Sequence, residues 1–241
     1  MAKKKLRTLT IDIGGTGIKM LRVGADGEAL GERHRELTPR PALPDAVIRV
    51  IAEMLKQHQD YDRVSVGFPG VVAHGIVATA PNLDDKAWAG VDLRAKIAEL
   101  TQKPVRVIND ADLQGYGVIQ RNGVELVLTL GTGLGSALYS DGHLVPNLEL
   151  GHHPFGNGKT YEQRVADKVR KKIGNKRFCK RVHEIIAQIE PILNYDRLYI
   201  GGGNAKRLDA SKLPANVSVF SNVEGMEGGV RLWKDPLGNK L

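Results

Sequence analysis

The chain has 241 residues, of which 41% are hydrophobic, so it can bury one sizeable core or two small lobes. Its single cysteine, Cys179, excludes an intramolecular disulfide, and a reducing, cytoplasmic setting is expected. Thr8, Thr10 and Asp12 interrupt the apolar residues after the lysine-rich start, so we expect no export signal. No apolar run approaches the roughly 18 residues of a membrane span. The formal net charge of +8 favours a polyanionic partner.

The first half of the chain alternates strand, turn and helix patterns. Alternating β-branched residues predict strands, and apolar residues three or four apart predict helices. In chain order, the patterns predict strands over residues 6–13 and 18–23, a helix over 44–58, strands over 63–68 and 75–79, a loop over 80–90, a helix over 93–100 and a strand over 105–108. Asn109 and Asp110 directly follow the last strand.

The second half repeats this order. Its patterns predict a helix over residues 110–120, strands over 125–130, 135–140 and 143–145, helices over 161–173 and 178–189, a strand over 197–200 and a helix over 225–233. A unit of strand, glycine turn and strand therefore occurs once in each half. This repetition predicts two duplicated lobes, a small one over residues 1–108 and a large one over 109–241.

The two glycine turns are candidate phosphate sites. Glycine has no Cβ, so its backbone N–H groups can approach a phosphate closely. The residues concerned are Asp12, Gly14, Gly15, Thr16 and Lys19 in the first turn, and Gly131, Thr132 and Gly133 in the second. Asp12 could hold Mg²⁺ through water. Either turn alone could merely serve a hairpin, but two such turns point to phosphoryl transfer.

Phosphoryl transfer needs a base for the acceptor hydroxyl, and Asp110 is the candidate. It follows a predicted strand directly. The alternative is that Asp110 only caps the helix that follows, since Asn and Asp are favoured at that position. The two roles are compatible.

Amide and carboxylate groups bind polyhydroxylated ligands because they accept or donate hydrogen bonds in pairs. The candidates for such contacts are Asn82, Asn109, Glu149, His152 and Glu162. A lone histidine is more often structural than a ligand. Here, however, an acid and two histidines surround a glycine in Glu149–His153, which favours a functional loop.

Six ordered motifs resemble those of the ROK family of bacterial sugar kinases and repressors. They are Asp12–Lys19, Gly67–Val72, Ala80–Leu83, Asn109–Asp112, Leu130–Gly135 and Glu149–His152. Within the family, Leu128–Ala137 and Pro146–Phe155 are most similar to the polyphosphate glucokinases. The resemblance implies an α/β fold of the actin-like ATPase (ribonuclease H-like) type, with two duplicated lobes and a cleft between them.

The resemblance also implies roles for individual residues. Asp110 would be the base, Asn109, Glu149, His152 and Glu162 would surround glucose, and Asn82 would lie near the sugar loop. Gly202, in the glycine run that ends a strand, would lie near the nucleotide or phosphate donor, so an ATP site stays open. A homodimer is also implied.

The sequence departs from the wider family pattern in two ways, which bear on zinc binding and on DNA binding. The family's cysteine-rich zinc motif is absent because residues 156–160 contain no cysteine, so zinc is not expected and His152 should bind sugar. Repressor members carry a helix-turn-helix before the first phosphate motif. That motif begins here at Asp12, and we expect no such module.

The basic segment, which we define as residues 168–181, could bind a chain of phosphates, since each neutralised phosphate releases counterions. Its candidate ligands are Lys168, Arg170, Lys171, Lys172, Lys176 and Arg177. The segment could equally be a solvated helix face followed by a basic connection. The subfamily resemblance favours polyphosphate as the donor, with ATP as a possible second donor.

Other functions fit the sequence less well. A nucleic-acid-binding module would explain the charge, but it leaves Asp12 and Asp110 unexplained and has few aromatic residues for base stacking. A catalytically silent sugar-binding regulator is disfavoured by the presence of Asp110. The nearest alternative is an ATP-dependent hexokinase of the same family, acting on glucose or another hexose.

Overall fold

The computed structural model describes residues 5–235, which divide into two compact units. Unit 1 contains residues 5–117 and 223–235, and unit 2 contains residues 118–222. Asn109 and Asp110 belong to unit 1. The lobe limits expected from the sequence stay a prediction, and their outermost residues, 1–4 and 236–241, lie outside the described part of the chain.

Unit 1 is built on a five-stranded mixed sheet. Its elements are β1 (Thr8–Ile13), β2 (Ile18–Val23), β3 (His34–Glu36), α1 (Pro44–Leu55), β4 (Arg63–Phe68), β5 (Val72–Ala73), β6 (Ile76–Val77), α2 (Asp85–Trp88), α3 (Leu93–Thr101), β7 (Val105–Asn109) and α4 (Asp110–Val118). The strand order is β3-β2-β1-β4-β7, in which β1, β4 and β7 run parallel. The carboxyl ends of these three strands therefore meet at one edge, which carries Asp12 and Asn109.

Unit 2 repeats this architecture. Its elements are β8 (Val124–Leu130), β9 (Leu134–Ser140), β10 (His143–Val145), β11 (Pro154–Gly156), β12 (Lys159–Thr160), α5 (Tyr161–Val165), α6 (Asp167–Ile173), α7 (Asn175–Leu193), β13 (Arg197–Gly201) and β14 (Val217–Val219). The main sheet has the order β10-β9-β8-β13-β14. As in unit 1, an antiparallel hairpin leads into parallel strands, β8 with β13 and β13 with β14.

The last helix, α8 (Asn222–Arg231), packs against the first sheet. Its buried Met226 and Val230 form a cluster with Leu21 and Val23 of β2. Ser65 Oγ of β4 donates a 2.7 Å hydrogen bond to the Gly229 carbonyl and accepts a 2.8 Å bond from Trp233 Nε1. The Trp233 ring is contacted by the guanidinium groups of Arg63 and Arg106, at 5.0 and 4.5 Å from its centroid. Unit 1 is thus assembled from two distant parts of the sequence.

Most predicted elements are present, with differences at a few positions. The helix predicted over 161–173 is present as two helices, because the extended backbone of Ala166 divides it into α5 and α6. The strand predicted over 75–79 is shorter, and α8 begins at Asn222 rather than near residue 225. The sequence analysis missed β3, β5, β11, β12 and β14, and it also missed α2, which lies in the predicted loop over 80–90. Within residues 5–235, no helix combines the length and apolarity that crossing a membrane requires.

Candidate active site

The first glycine turn connects β1 to β2 and places two charged groups side by side. Asp12 and Lys19 are partners in the strand register, and Lys19 Nζ lies 2.5 Å from Oδ2 of the buried Asp12. A 3.0 Å bond from Gly14 N to the Gly17 carbonyl closes the turn. We call Asp12–Lys19 the hairpin. Within it, the ammonium group of Lys19 is engaged by Asp12.

Three side chains that the sequence analysis missed hold the hairpin in place. They donate to three successive carbonyl oxygens: Thr38 Oγ1 to Gly14 (2.5 Å), Arg40 Nη2 to Gly15 (2.6 Å) and Arg35 Nη2 to Thr16 (3.2 Å). We call Arg35, Thr38 and Arg40 the hairpin clamp. The density of arginines in residues 33–40 was the available sequence signal, but the pairing with the hairpin depends on the short edge strand β3.

Asp110 is the first residue of α4 and directly follows β7. The helix is capped mainly by Asn109, whose buried Oδ1 accepts hydrogen bonds from Ala111 N (2.8 Å) and Asp112 N (3.2 Å). Asp110 Oδ1 also accepts from Ala111 N, at 2.8 Å. Asn109 Nδ2 donates to the Gly70 carbonyl (3.1 Å). Asn109 therefore fixes the start of the helix that carries Asp110.

A glycine of β4 allows Asp110 to approach the sheet. A Cβ at residue 67 would lie 3.1 Å from Asp110 Cα and 3.1 Å from Leu113 Cδ2. Asp12 and Gly67 are register partners, so the hairpin and the start of α4 lie at the same sheet edge. Asn82, the remaining sugar candidate of unit 1, is half-buried in the turn that follows Ala80.

The second glycine turn connects β8 to β9 in unit 2. Gly131 N donates to the Gly133 carbonyl (3.1 Å), and the Thr132 side chain is exposed. Gly202 has a φ of +86°, and a Cβ there would lie 2.4 Å from the Leu130 carbonyl oxygen. Only glycine fits that position without strain. The structure therefore brings Gly202 to the second glycine turn.

Asp167 and Asn204 also contact the second glycine turn, and the sequence analysis missed both. The Gly131 carbonyl accepts hydrogen bonds from Asp167 N (3.0 Å) and from Asn204 Nδ2 (3.4 Å). A hydrogen bond from Lys171 lowers the pKa of the Asp167 carboxyl against the effect of burial, and bonds from Arg170 and Asn204 act in the same direction as Lys171. No local motif identified these residues, because their contacts come from distant parts of the chain.

Three sugar candidates of unit 2 lie together. Glu149 Oε2 is 3.7 Å from His152 Nε2, and Glu162 Oε2 accepts a 3.0 Å bond from Leu134 N. Gly151 packs on the same strand start, since a Cβ there would lie 2.6 Å from the Leu134 carbonyl oxygen. Burial raises the pKa of the Glu149 carboxyl; His152 opposes this shift and Glu162 adds to it. The cluster combines two carboxyl groups with an imidazole, which suits recognition of hydroxyl groups.

The basic segment covers α6 and the first part of α7, and its cations differ in environment. Asp167 binds Arg170 at 2.9 Å and Lys171 at 2.8 Å, so these two charges are partly neutralised. The other candidates, Lys168, Lys172, Lys176 and Arg177, are exposed.

Mg²⁺ and zinc require different sets of ligands. No group of three or more His, Cys, Asp or Glu side chains suited to a metal occurs within residues 5–235. Mg²⁺, however, is commonly held by one or two carboxylates together with phosphate oxygens and water. Asp12, the first residue of the hairpin, supplies one such carboxylate. Its environment therefore fits a Mg²⁺ that arrives with a phosphate donor.

Known proteins resemble this chain over most of its length. Residues 8–164 match the model of the ROK family. A polyphosphate glucokinase of Mycobacterium tuberculosis is 38% identical over 234 residues, which cover 90% of this chain and 88% of the relative.

Solved structures agree with this match. The inorganic polyphosphate/ATP-glucomannokinase of Arthrobacter sp. strain KM has a TM-score of 0.84 at 33% identity, covering 94% of this chain and 97% of the other. A ROK family glucokinase of Streptomyces griseus, at 18% identity, has a TM-score of 0.75 over 92% of this chain and 98% of the other, and shows the fold alone. The chain belongs to the ROK family and has the actin-like ATPase fold, as the motifs predicted.

Proposed function

We propose that the chain is a glucokinase that transfers a phosphoryl group from inorganic polyphosphate, and also from ATP, to the 6-hydroxyl of glucose. The position of Asp110 carries the proposal, because its carboxylate directly follows a parallel strand at the sheet edge that also holds the Asp12 hairpin. The 38% identical relative named polyphosphate glucokinase and the 33% identical polyphosphate/ATP-glucomannokinase support the choice of substrates.

In the proposed reaction, the oxygen of the glucose 6-hydroxyl attacks the terminal phosphorus of the donor, and Asp110 accepts the proton of that hydroxyl. The new O–P bond forms while the phosphoanhydride bond breaks. Polyphosphate leaves one phosphate shorter, or ATP leaves as ADP. Asn109 supports this step by fixing the start of α4, and Gly67 by allowing Asp110 close to the sheet.

Two groups of residues are assigned to the substrates, one to the sugar and one to the phosphate donor. We infer that Glu149, His152 and Glu162 accept and donate hydrogen bonds to the sugar hydroxyls, with Asn82 and Asn109 as further contacts. His152 is available for this role because its side chain is 66% exposed. The hairpin and Gly131–Gly133 would hold phosphate through backbone N–H groups.

Mg²⁺ bound with the donor would neutralise charge on its phosphate oxygens. Asp12 is the residue that would hold it, through water. We also infer a homodimer that acts in the cytoplasm and binds neither nucleic acid nor membrane. The single cysteine supports the cytoplasmic setting, and the low aromatic content of 5% disfavours nucleic-acid binding. The family resemblance supports the dimer, which sedimentation of the purified protein tests.

The direct test measures glucose 6-phosphate formation by the purified protein with Mg²⁺ and either polyphosphate or ATP, using glucose and mannose as acceptors. Asp110→Asn should lower kcat/KM by about 10²–10⁴, the usual contribution of a general base. Asp26→Asn is the matched control, since it makes the same chemical change at an exposed turn. The two variants should unfold at similar temperatures.

Each outcome of this test has a defined meaning. Turnover with ATP alone would refute the polyphosphate donor and leave an ATP-dependent hexokinase. Absence of turnover with any hexose and either donor would favour a silent sugar-binding regulator. Equal activity of Asp110→Asn and the wild type would remove Asp110 as the base.

The donor role of the basic segment has a separate test. A fourfold glutamine variant at its exposed positions should raise the KM for polyphosphate more than the KM for ATP, because a phosphate polymer binds through charge along its length. The substituted residues are Lys168, Lys172, Lys176 and Arg177. A matched fourfold variant removes as much charge elsewhere, at Lys56, Lys86, Lys96 and Lys103. Equal effects of the two variants would contradict the assignment.

A further inference from the structure

The hairpin clamp determines which way the peptide groups of the hairpin point. Thr38, Arg40 and Arg35 bind the carbonyl oxygens of three successive residues, Gly14–Thr16. In a planar trans peptide the N–H points opposite to the C=O. The N–H groups that follow these carbonyls, those of residues 15, 16 and 17, are therefore directed away from the clamp.

These three N–H groups are therefore candidates for binding an anion. Among the hydrogen bonds within residues 5–235, none uses the amides of residues 15–17 as donors. Successive N–H groups that point to one side create a concave site with positive potential. The clamp thus maintains the orientation on which phosphate binding at this hairpin depends.

The clamp also supplies the net positive charge at the hairpin. The charge of Lys19 is balanced by Asp12 at 2.5 Å, so this pair adds little net charge. Arg35 and Arg40 are exposed, and no carboxylate within residues 5–235 lies within 4 Å of either guanidinium group. Each guanidinium group has five N–H donors. Their bonds to Thr16 and Gly15 leave donors for further acceptors.

Close packing confirms that Arg35 lies directly on the turn. A Cβ at Gly17 would be 2.7 Å from Arg35 Nη2 and 2.9 Å from Cζ. An alanine at residue 17 would therefore displace the guanidinium group and leave its charge unchanged. This substitution separates the position of Arg35 from its charge.

We propose that Arg35 and Arg40 are positioning residues of the phosphoryl donor site, and that their charge favours a donor made of many phosphates over a nucleotide. The inference rests on the proposed function. ATP can also bind through its nucleoside, whereas polyphosphate offers only phosphates. The loss of one positive charge near the hairpin should therefore weaken polyphosphate binding more than ATP binding.

The experiment compares Arg40→Gln, Arg40→Lys, Arg35→Gln and Gly17→Ala with the wild type, using polyphosphate and ATP at several salt concentrations. Arg33→Gln is the matched control, because it removes the same charge two residues from Arg35 and Arg33 makes no hydrogen bond to the hairpin among the described residues. Thermal unfolding of each variant checks that the protein folds.

Arg40→Gln should raise the KM for polyphosphate about tenfold and the KM for ATP about threefold or less. The plot of log(kcat/KM) for polyphosphate against log[salt] should become less steep by about one unit for each arginine removed. Arg40→Lys should restore the slope. Gly17→Ala should lower kcat with both donors and leave the slope unchanged, while Arg33→Gln should resemble the wild type.

Several results would overturn the inference. Equal changes for polyphosphate and ATP, with an unchanged salt slope, would show that the arginines do not select the polymer. An effect of Arg33→Gln on the KM for polyphosphate as large as that of Arg40→Gln would show that any nearby positive charge has the same effect and that the position of Arg40 does not matter. If the wild type uses only ATP, the proposed donor fails and the selection fails with it. In that case, a lower kcat of Gly17→Ala with ATP would still support Arg35 as a positioning residue, and an unchanged kcat would exclude that role.

Discussion

Asn109→Ala should both destabilise the protein and disturb the residue proposed as base. The cap of α4 is worth about 1 kcal/mol. Ala111 N keeps a partner in Asp110 Oδ1, so Asp112 N is the amide that loses its acceptor. The carbonyl of the buried Gly70 also loses its donor, which costs about 1–3 kcal/mol. The expected loss in the free energy of unfolding is therefore about 2–4 kcal/mol.

Urea denaturation at pH 7 measures this loss, and kcat is determined under conditions where the variant is fully folded. Asn109→Ser is the control, because serine can still cap the helix but cannot reach the Gly70 carbonyl. It should recover about 1 kcal/mol relative to Asn109→Ala. A loss below 1 kcal/mol for Asn109→Ala, or equal stability of the two variants, would refute the reasoning.

Two further predictions concern Gly67 and Glu149. Gly67→Ala should lower kcat about tenfold, because its Cβ would move Asp110 and Leu113 by a few tenths of an ångström; an unchanged kcat in steady-state assays would contradict this. Burial raises the pKa of Glu149 in the folded protein. The folded protein therefore loses stability as the pH rises above the pKa that Glu149 has in the unfolded chain. Glu149→Gln should therefore gain stability relative to the wild type between pH 4 and pH 8, and urea midpoints that differ equally at both pH values would exclude this effect.

The sequence predicted those elements whose signals are local. The strand over 63–68 matches β4 at both ends, because its β-branched alternation lies between polar residues and Pro69. The two glycine turns were located correctly for the same reason. The motifs also identified the ROK family and the actin-like fold, both of which are confirmed.

Elements that depend on distant contacts were missed. β3 consists of three polar residues and forms only because β2 offers an unpaired edge. No proline or glycine lies at the break between α5 and α6, so the sequence contains no local signal for it. It occurs where Asp167 N donates to the Gly131 carbonyl, so a contact with the second glycine turn ends the helix. Helical periodicity carries no information about such a contact.

The candidate site shows the same division. The cluster of Glu149, His152 and Glu162 was anticipated from motifs, and the structure brings it together, although the roles of its members stay predictions. Arg35 and Arg40 were missed because they bind backbone carbonyls, and every residue offers a carbonyl. When a side chain binds the main chain, its partner can be any residue type, so the sequence does not indicate the pair.

The packing of α8 has a consequence for biosynthesis. The helix completes the β2 cluster, and Gly229 accepts the hydrogen bond of Ser65, so the first sheet to be translated is finished by nearly the last residues. Domains usually fold as they leave the ribosome, from the N-terminus onward. Unit 1 must instead wait, with part of β2 uncovered, while all of unit 2 is synthesised.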